Sequence, residues 1–188
     1  MRRELDLTIV NDNTLDALAK SRIDGRGADY KIITWIDKAP EELVGGVARL
    51  VGRMSTDTPR GDLTLESEVW DASRWREKED DALRSGRRRL AAGAVAADGD
   101  LVAFTDIGVY VQRPSVAEQW NTIVDPDHRG HRLGLGVKVA NLRNLLRAVP
   151  GALRLETWNA IENSRMIAIN ELLGYQVVER VYEFQLPL

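Results

Sequence analysis

Apolar positions along this chain repeat with two different periods, and the switches between them divide it into strands and helices. Runs that alternate or are rich in β-branched and aromatic residues mark strands over Asp6–Val10, Tyr30–Ile36, Arg89–Ala97, Leu101–Val111, Ala117–Val124 and Leu153–Trp158. Further strand material runs from Val177 to Leu186. Helical spacing fills the intervals. Asn13 caps a helix over Thr14–Ser21, and Pro40 opens another, whose Leu43, Val47, Leu50 and Val51 share a face. A charged helix covers Asp71–Ser85, and Leu135, Val139, Leu142 and Leu146 form the core-facing ridge of one that ends near Ala148. The last helix spans Asn163–Leu173, with Gly174 as its C-cap. Asp98-Gly99-Asp100 makes a tight turn between two strands. This order predicts one α/β domain from residue 29 to 188, preceded by an N-terminal appendage and linker over residues 1–28.

Composition narrows the class. The 188 residues are 44% apolar and 29% charged, ordinary for a globular domain. Without cysteine there is no disulfide and no thiolate metal site, and two histidines make a histidine-rich metal site unexpected. A net charge of −3 speaks against a nucleic-acid partner, and Arg87-Arg88-Arg89 reads as a solvated turn leading into a strand. The sequence holds no apolar run of the ~18 residues a membrane span needs and no signal-peptide pattern, so a cytoplasmic protein is expected.

The chemistry concentrates between Val124 and Gly136, where a strand gives way to a helix through Asp125-Pro126-Asp127-His128-Arg129-Gly130-His131-Arg132-Leu133-Gly134. A helix start leaves its first N–H groups unpaired and carries about half a positive charge. A glycine-containing turn lets that backbone approach an anion closely, and a diphosphate suits such a place. Arg129 and Arg132 add positive charge, and His131 either caps the loop or contacts phosphate.

These residues resemble the GNAT superfamily, whose signature at this junction is Arg/Gln-x-x-Gly-x-Gly/Ala after Val-x-Pro. Val124-x-Pro126 is intact, Arg129 takes the first place and Gly134 the last, while Arg132 stands where the middle glycine belongs. A second register from His131, using Gly134 and Gly136, keeps both glycines and loses the Arg/Gln. About 34 residues beyond Arg129, Asn163 and Gly174 match the family's downstream Asn-x-x-Ala-x-x-x-Tyr-x-x-x-Gly-Phe, with Met166 and Tyr175 as conservative replacements and Asn170 in the tyrosine's place. Segments such as Met54–Asp57, Gly61–Leu63 and Thr157–Ala160 look like actinobacterial tandem-type GNAT domains related to mycothiol synthase.

The resemblance implies a central mixed, mostly antiparallel sheet flanked by helices, with acetyl-CoA as acyl donor to a small-molecule primary amine by direct transfer. It implies a cofactor site built from Ile123, Val124, Arg129, Gly130, His131, Arg132, Leu133, Gly134, Asn159 and Asn163, in which main-chain N–H groups near Ile123 and Val124 polarise the thioester. Glu118 falls where some members keep a catalytic glutamate, and Tyr175, Tyr182 or water protonates the departing thiolate. Asp57, Asp62, Trp120 and Asn121 are the substrate-side candidates. A homodimer or a tandem partner domain is compatible with the resemblance. A non-catalytic acyl-CoA-binding domain and a protein N-acetyltransferase stay open beside the leading reading.

Overall fold

The computed structural model of the protein describes residues 1–22, 27–57 and 69–181. Seven strands, β1 (Arg2–Asp6), β2 (Lys31–Ile36), β3 (Arg87–Val95), β4 (Leu101–Tyr110), β5 (Val116–Val124), β6 (Arg154–Trp158) and β7 (Gln176–Glu179), form one sheet in the order β2-β3-β4-β5-β6-β1-β7. Helices α1 (Asp12–Arg22), α2 (Val44–Asp57), α3 (Ala72–Arg84), α4 (Leu133–Ala148) and α5 (Ser164–Leu172) flank it. Every pairing is antiparallel except β5 with β6, because α4 carries the chain between those two strands as a crossover.

Alternation along the strands sorts side chains between the two faces. Leu90 joins the cluster of Leu135, Val139, Leu142 and Leu145 on α4, while the next residue, Ala91, packs with Val47, Leu50 and Trp75 from α2 and α3. The β3–β4 hairpin turns at Gly99 with φ 94°, a conformation that a side chain would strain. Asp71 caps α3 by accepting from the Arg74 amide at 2.8 Å.

The N-terminal segment corrects the sequence reading. Residues 2–6 are not an appendage but a strand inserted between β6 and β7, and Leu5, Leu7 and Leu15 lie in the same core as α4. The strand also sits upstream of the expected Asp6–Val10, because Asp6 Oδ1 accepts from both the amide and the hydroxyl of Thr8 and turns the chain there. Pairing on both edges satisfies its backbone within the sheet. Among the described residues no helix is long and apolar enough to cross a membrane.

Candidate active site

The parallel pair β5–β6 is short. Val116, Ala117 and Glu118 pair with Arg154, Leu155 and Glu156, and beyond Glu118 strand β5 keeps β4 as its only strand neighbour among the described residues. A bulge opposite Asp106 accompanies the parting: the register shifts between Thr105 and Ile107, and Asp106 Oδ1 accepts from both the Asn121 main-chain amide and its Nδ2 at 2.9 Å. The Trp120 ring lies so close over Gly108 that a Cβ there would meet it at 1.8 Å.

The open edge of β5 follows from the ladder. The Asp125 amide donates to the Val102 carbonyl at 2.8 Å, so alternation turns the main chain of Ile123 to β4 and that of Val124 to the unpaired side. Of the two amides expected to meet a thioester, Val124 faces the gap and Ile123 does not. Arg129 folds back over the same edge, with Nε 3.4 Å from the Val124 carbonyl.

Asp125 anchors the junction that follows. Burial alone would raise its pKa, but hydrogen bonds from Arg49 (Nη1 to Oδ2, 2.6 Å) and the Asp127 amide, with Arg53 nearby, hold its carboxyl below the usual range. Pro126–His128 forms a 3₁₀ turn, and Tyr30 packs against both histidines, its hydroxyl 3.0 Å from His128 Nδ1 and its ring 5.3 Å from that of His131. Gly130 takes φ 86°. Arg132 then adopts the left-handed conformation at φ 54° and ψ 25°, and its side chain makes no capping bond at the start of α4. The position where the signature places glycine therefore keeps a glycine-type backbone although it carries arginine. Its side chain is tied off by a bond from Nη1 to the Ser21 carbonyl at 3.1 Å.

Around the gap, Glu118 is half-buried and accepts from Trp120 Nε1 at 3.2 Å, with an Arg113 nitrogen at 3.9 Å. Its pairing partner on β6, Glu156, is engaged by Arg154 at 3.0 Å and Arg2 at 3.6 Å. Asn163 caps α5 by accepting from the Met166 amide at 3.2 Å. The buried Asn170, standing in the family's tyrosine position, donates to Asn159 Oδ1 at 2.8 Å and so fixes Asn159 at the end of β6.

Tyr175 departs from its expected role. It lies in the core with Leu5, Leu15 and Leu173, its hydroxyl is buried without a partner, and burial pushes its pKa up. A phenol that holds its proton so firmly is a poor donor to a thiolate. The Nζ of Lys138, also buried, sits 5.3 Å from its ring centroid, and desolvation brings that amine down to about 7. Asp62, Tyr182 and the side chain of Asp57 lie outside the described residues.

Trp120 and Asn121 come together with a cluster that the sequence did not single out. Arg89 is 2% exposed and ion-paired with the fully buried Asp106, so the expected solvated arginine run is wrong at this residue. The missed signal was Asp106 itself. A carboxylate inside a strand of buried residues requires a partner.

No family model and no curated protein matches the chain. Among solved structures, a tandem GNAT protein from the clavulanic acid biosynthesis pathway is 33% identical over 93% of this chain, with a TM-score of 0.71. The chain spans 49% of that protein, about half its length. A putative acetyltransferase from Salmonella typhimurium, solved with its cofactor acetyl-CoA, shares the fold at 14% identity and TM-score 0.57, over 76% of this chain and 79% of its own. An aminoglycoside 6'-N-acetyltransferase from Acinetobacter baumannii does so at 17% and 0.54, over 84% and 99%. Two strands that part beside an uncapped helix start, and a likeness at one residue in three across nearly its whole length, place this chain in the GNAT acetyltransferase superfamily.

Proposed function

We propose that the chain is an N-acyltransferase that takes an acyl group from acetyl-CoA and passes it to a primary amine of a small molecule. The observation that carries this is the parting of β5 from β6 after three paired residues, directly ahead of a helix start whose first amides no side chain among the described residues claims. The residues present suit that cosubstrate. Leu133, Gly134 and Leu135 would hold the diphosphate through their N–H groups, with Arg129, Gly130, His131 and Arg132 shaping the approach. Gly134 keeps this floor low, since a Cβ would lie 3.2 Å from Ile169 Cδ1 and 3.6 Å from Val124 Cγ2.

Acetyl-CoA supplies the activated acyl group when bound. Val124 offers its main-chain edge to an extended ligand and its amide to an acyl oxygen. Asn159 stands on the β6 side of the gap, and Asn163 orders the start of α5 behind it. Glu118, steadied by Trp120, takes the proton of the attacking amine. Water protonates the departing thiolate, since Tyr175 is sealed in the core.

The test combines a thermal-shift titration with thiol release against an amine panel. Acetyl-CoA at 100 times its Kd should raise Tm by about 5–10 °C, from ~2.7 kcal/mol of linkage at 2–4 °C per kcal/mol. Gly134→Glu should abolish that shift, and Gly134→Ala should largely keep it. Glu118→Gln should keep the shift but release thiol about 10- to 100-fold more slowly. An unchanged shift in Gly134→Glu refutes the phosphate site, and an unchanged rate in Glu118→Gln removes the base. A shift without turnover on any amine would favour the acyl-CoA-binding domain, for which Asn170 in place of a tyrosine already speaks.

A further inference from the structure

We propose that the hollow between α3 and the sheet binds an anionic group, a carboxylate or a phosphate, carried by the acceptor amine; this rests on the transferase reading above. The hollow measures about 480 Å³. Lys78 and Ser85 line it from the α3 side, Arg87 and Arg89 from β3, Trp120 and Asn121 from β5.

Its charge balance is what points to an anion. Arg89 is neutralised by Asp106, yet its Nε is buried with no hydrogen-bond partner. Arg87 makes no ion pair among the described residues. Its guanidinium stacks 4.4 Å from the Tyr110 ring centroid and 5.3 Å from that of Trp120, one Nη donates to the Tyr110 hydroxyl, and its Nε is buried without a partner. Lys78 lies on the α3 side, 4.7 Å from the Trp70 ring centroid. Asp81 is the one carboxylate in the lining among the described residues, and it is bonded to Arg84. Among the described residues the hollow is thus lined by one guanidinium, that of Arg87, with which no carboxylate pairs. A buried donor without an acceptor is unfavourable, and the planar Nε–Nη edge of arginine matches the two oxygens of a carboxylate or phosphate. The aromatic rings hold the guanidinium plane in place before any ligand arrives.

Position assigns the anion to the acceptor. Trp120 forms a wall of the hollow and also donates to Glu118, the proposed base. Along β5, Trp120 stands four residues before Val124, roughly 13 Å at the rise of a strand. An amine bearing an anionic group at one end can rest that group on Arg87 while its nitrogen lies near Glu118. A polycationic amine finds the wrong sign of charge there.

Two measurements on the full chain decide the matter. In the first, Tm is followed with sodium phosphate or N-acetylglycine against sodium chloride at equal ionic strength. At least one anion should raise Tm in wild type, and the rise should vanish in Arg87→Met while the acetyl-CoA shift stays. Which anion acts tells a phosphate subsite from a carboxylate one. In the second, thiol release compares matched amines: glycine with glycinamide, and glucosamine 6-phosphate with glucosamine. The anionic member of the effective pair should have a kcat/KM higher by about 10- to 100-fold, lost in Arg87→Met chiefly through KM and partly restored in Arg87→Lys. No anion-dependent shift, or a shift indifferent to Arg87, overturns the inference even if neutral amines are acetylated. An Arg87-dependent shift with no thiol release from any amine would instead sink the transferase reading and leave the anion subsite standing.

Discussion

The strand-to-helix junction and the basic hollow lie at the far end and the middle of the same strand, β5, yet they are built by opposite means. From Asp125 to Leu135 the proposed working parts are main-chain groups, placed by a positive φ at Gly130 and Arg132 and by a helix start whose N-cap residue makes no side-chain cap bond. Beneath α3 the working parts are side chains from three elements, held by one buried ion pair and a set of stacked rings. The first kind of site tolerates changes of side chain and fails when the backbone path is blocked. The second fails when a single charge is removed.

Breaking the ion pair should therefore give the largest effect. Asp106 neutralises Arg89 and also accepts from the Asn121 amide at the bulge, so Asp106→Ala strands a buried cation and frees the bulge at once. We expect a loss of about 3–5 kcal/mol, seen as a Tm lower by roughly 6–20 °C. The double variant Arg89→Met, Asp106→Leu should recover most of it, because the penalty comes from the unpaired charge. A loss below about 1 kcal/mol in Asp106→Ala would mean that the bulge stands without the pair.

Helix α4, which starts at the junction, contains a buried cation of the opposite kind. Lys138 makes no ion pair among the described residues, and its amine is brought to about 7 from 10.5 by desolvation. Between those values the unfolded chain holds one proton more than the folded one, so stability rises with pH across that window. Below about 7 both states hold the proton and the folded state bears the full penalty. Lys138→Met should thus stabilise the protein most at low pH, with a gain about 2–3 kcal/mol larger at pH 6 than at pH 9.5 in urea melts. An equal gain at both values would show that folding does not depress the amine's pKa at all.

The same contrast explains what the sequence revealed. The junction was legible because its signature is local: Val124-x-Pro126, Arg129 and Gly134 stand in one stretch, and the ridge of α4 follows by period. The hairpin at Gly99 was legible for the same reason. The hollow was not. Arg89 and Asp106 are brought together only by the β3–β4 register, and Trp120 joins them through the bulge. The place of β1 was hidden too, since its partners on β6 and β7 lie about 150 residues or more away in sequence, as with Arg3 opposite Thr157. Helix α2 begins at Val44 rather than at Pro40, because residues 41–43 turn first and the Leu43 and Val44 amides both close on the Pro40 carbonyl.

The smallest effect is expected where signature and residue disagree, at Arg132. A non-glycine residue in the left-handed region carries a strain of about 1–2 kcal/mol, which Arg132→Gly would relieve. Glycine also loosens the unfolded chain by about 0.4–1 kcal/mol. It further loses the bond to the Ser21 carbonyl. These terms oppose each other, so Arg132→Gly should melt within about 1 kcal/mol of wild type and bind acetyl-CoA as well. Arg132→Val loses the same bond but adds a branched Cβ, which resists positive φ. It should lose about 1–3 kcal/mol and, by tilting the first amides of α4, shrink the acetyl-CoA shift as well. If valine leaves both the melt and the shift untouched, the junction works without the left-handed residue, and a main-chain cradle built on that turn is the wrong account of it.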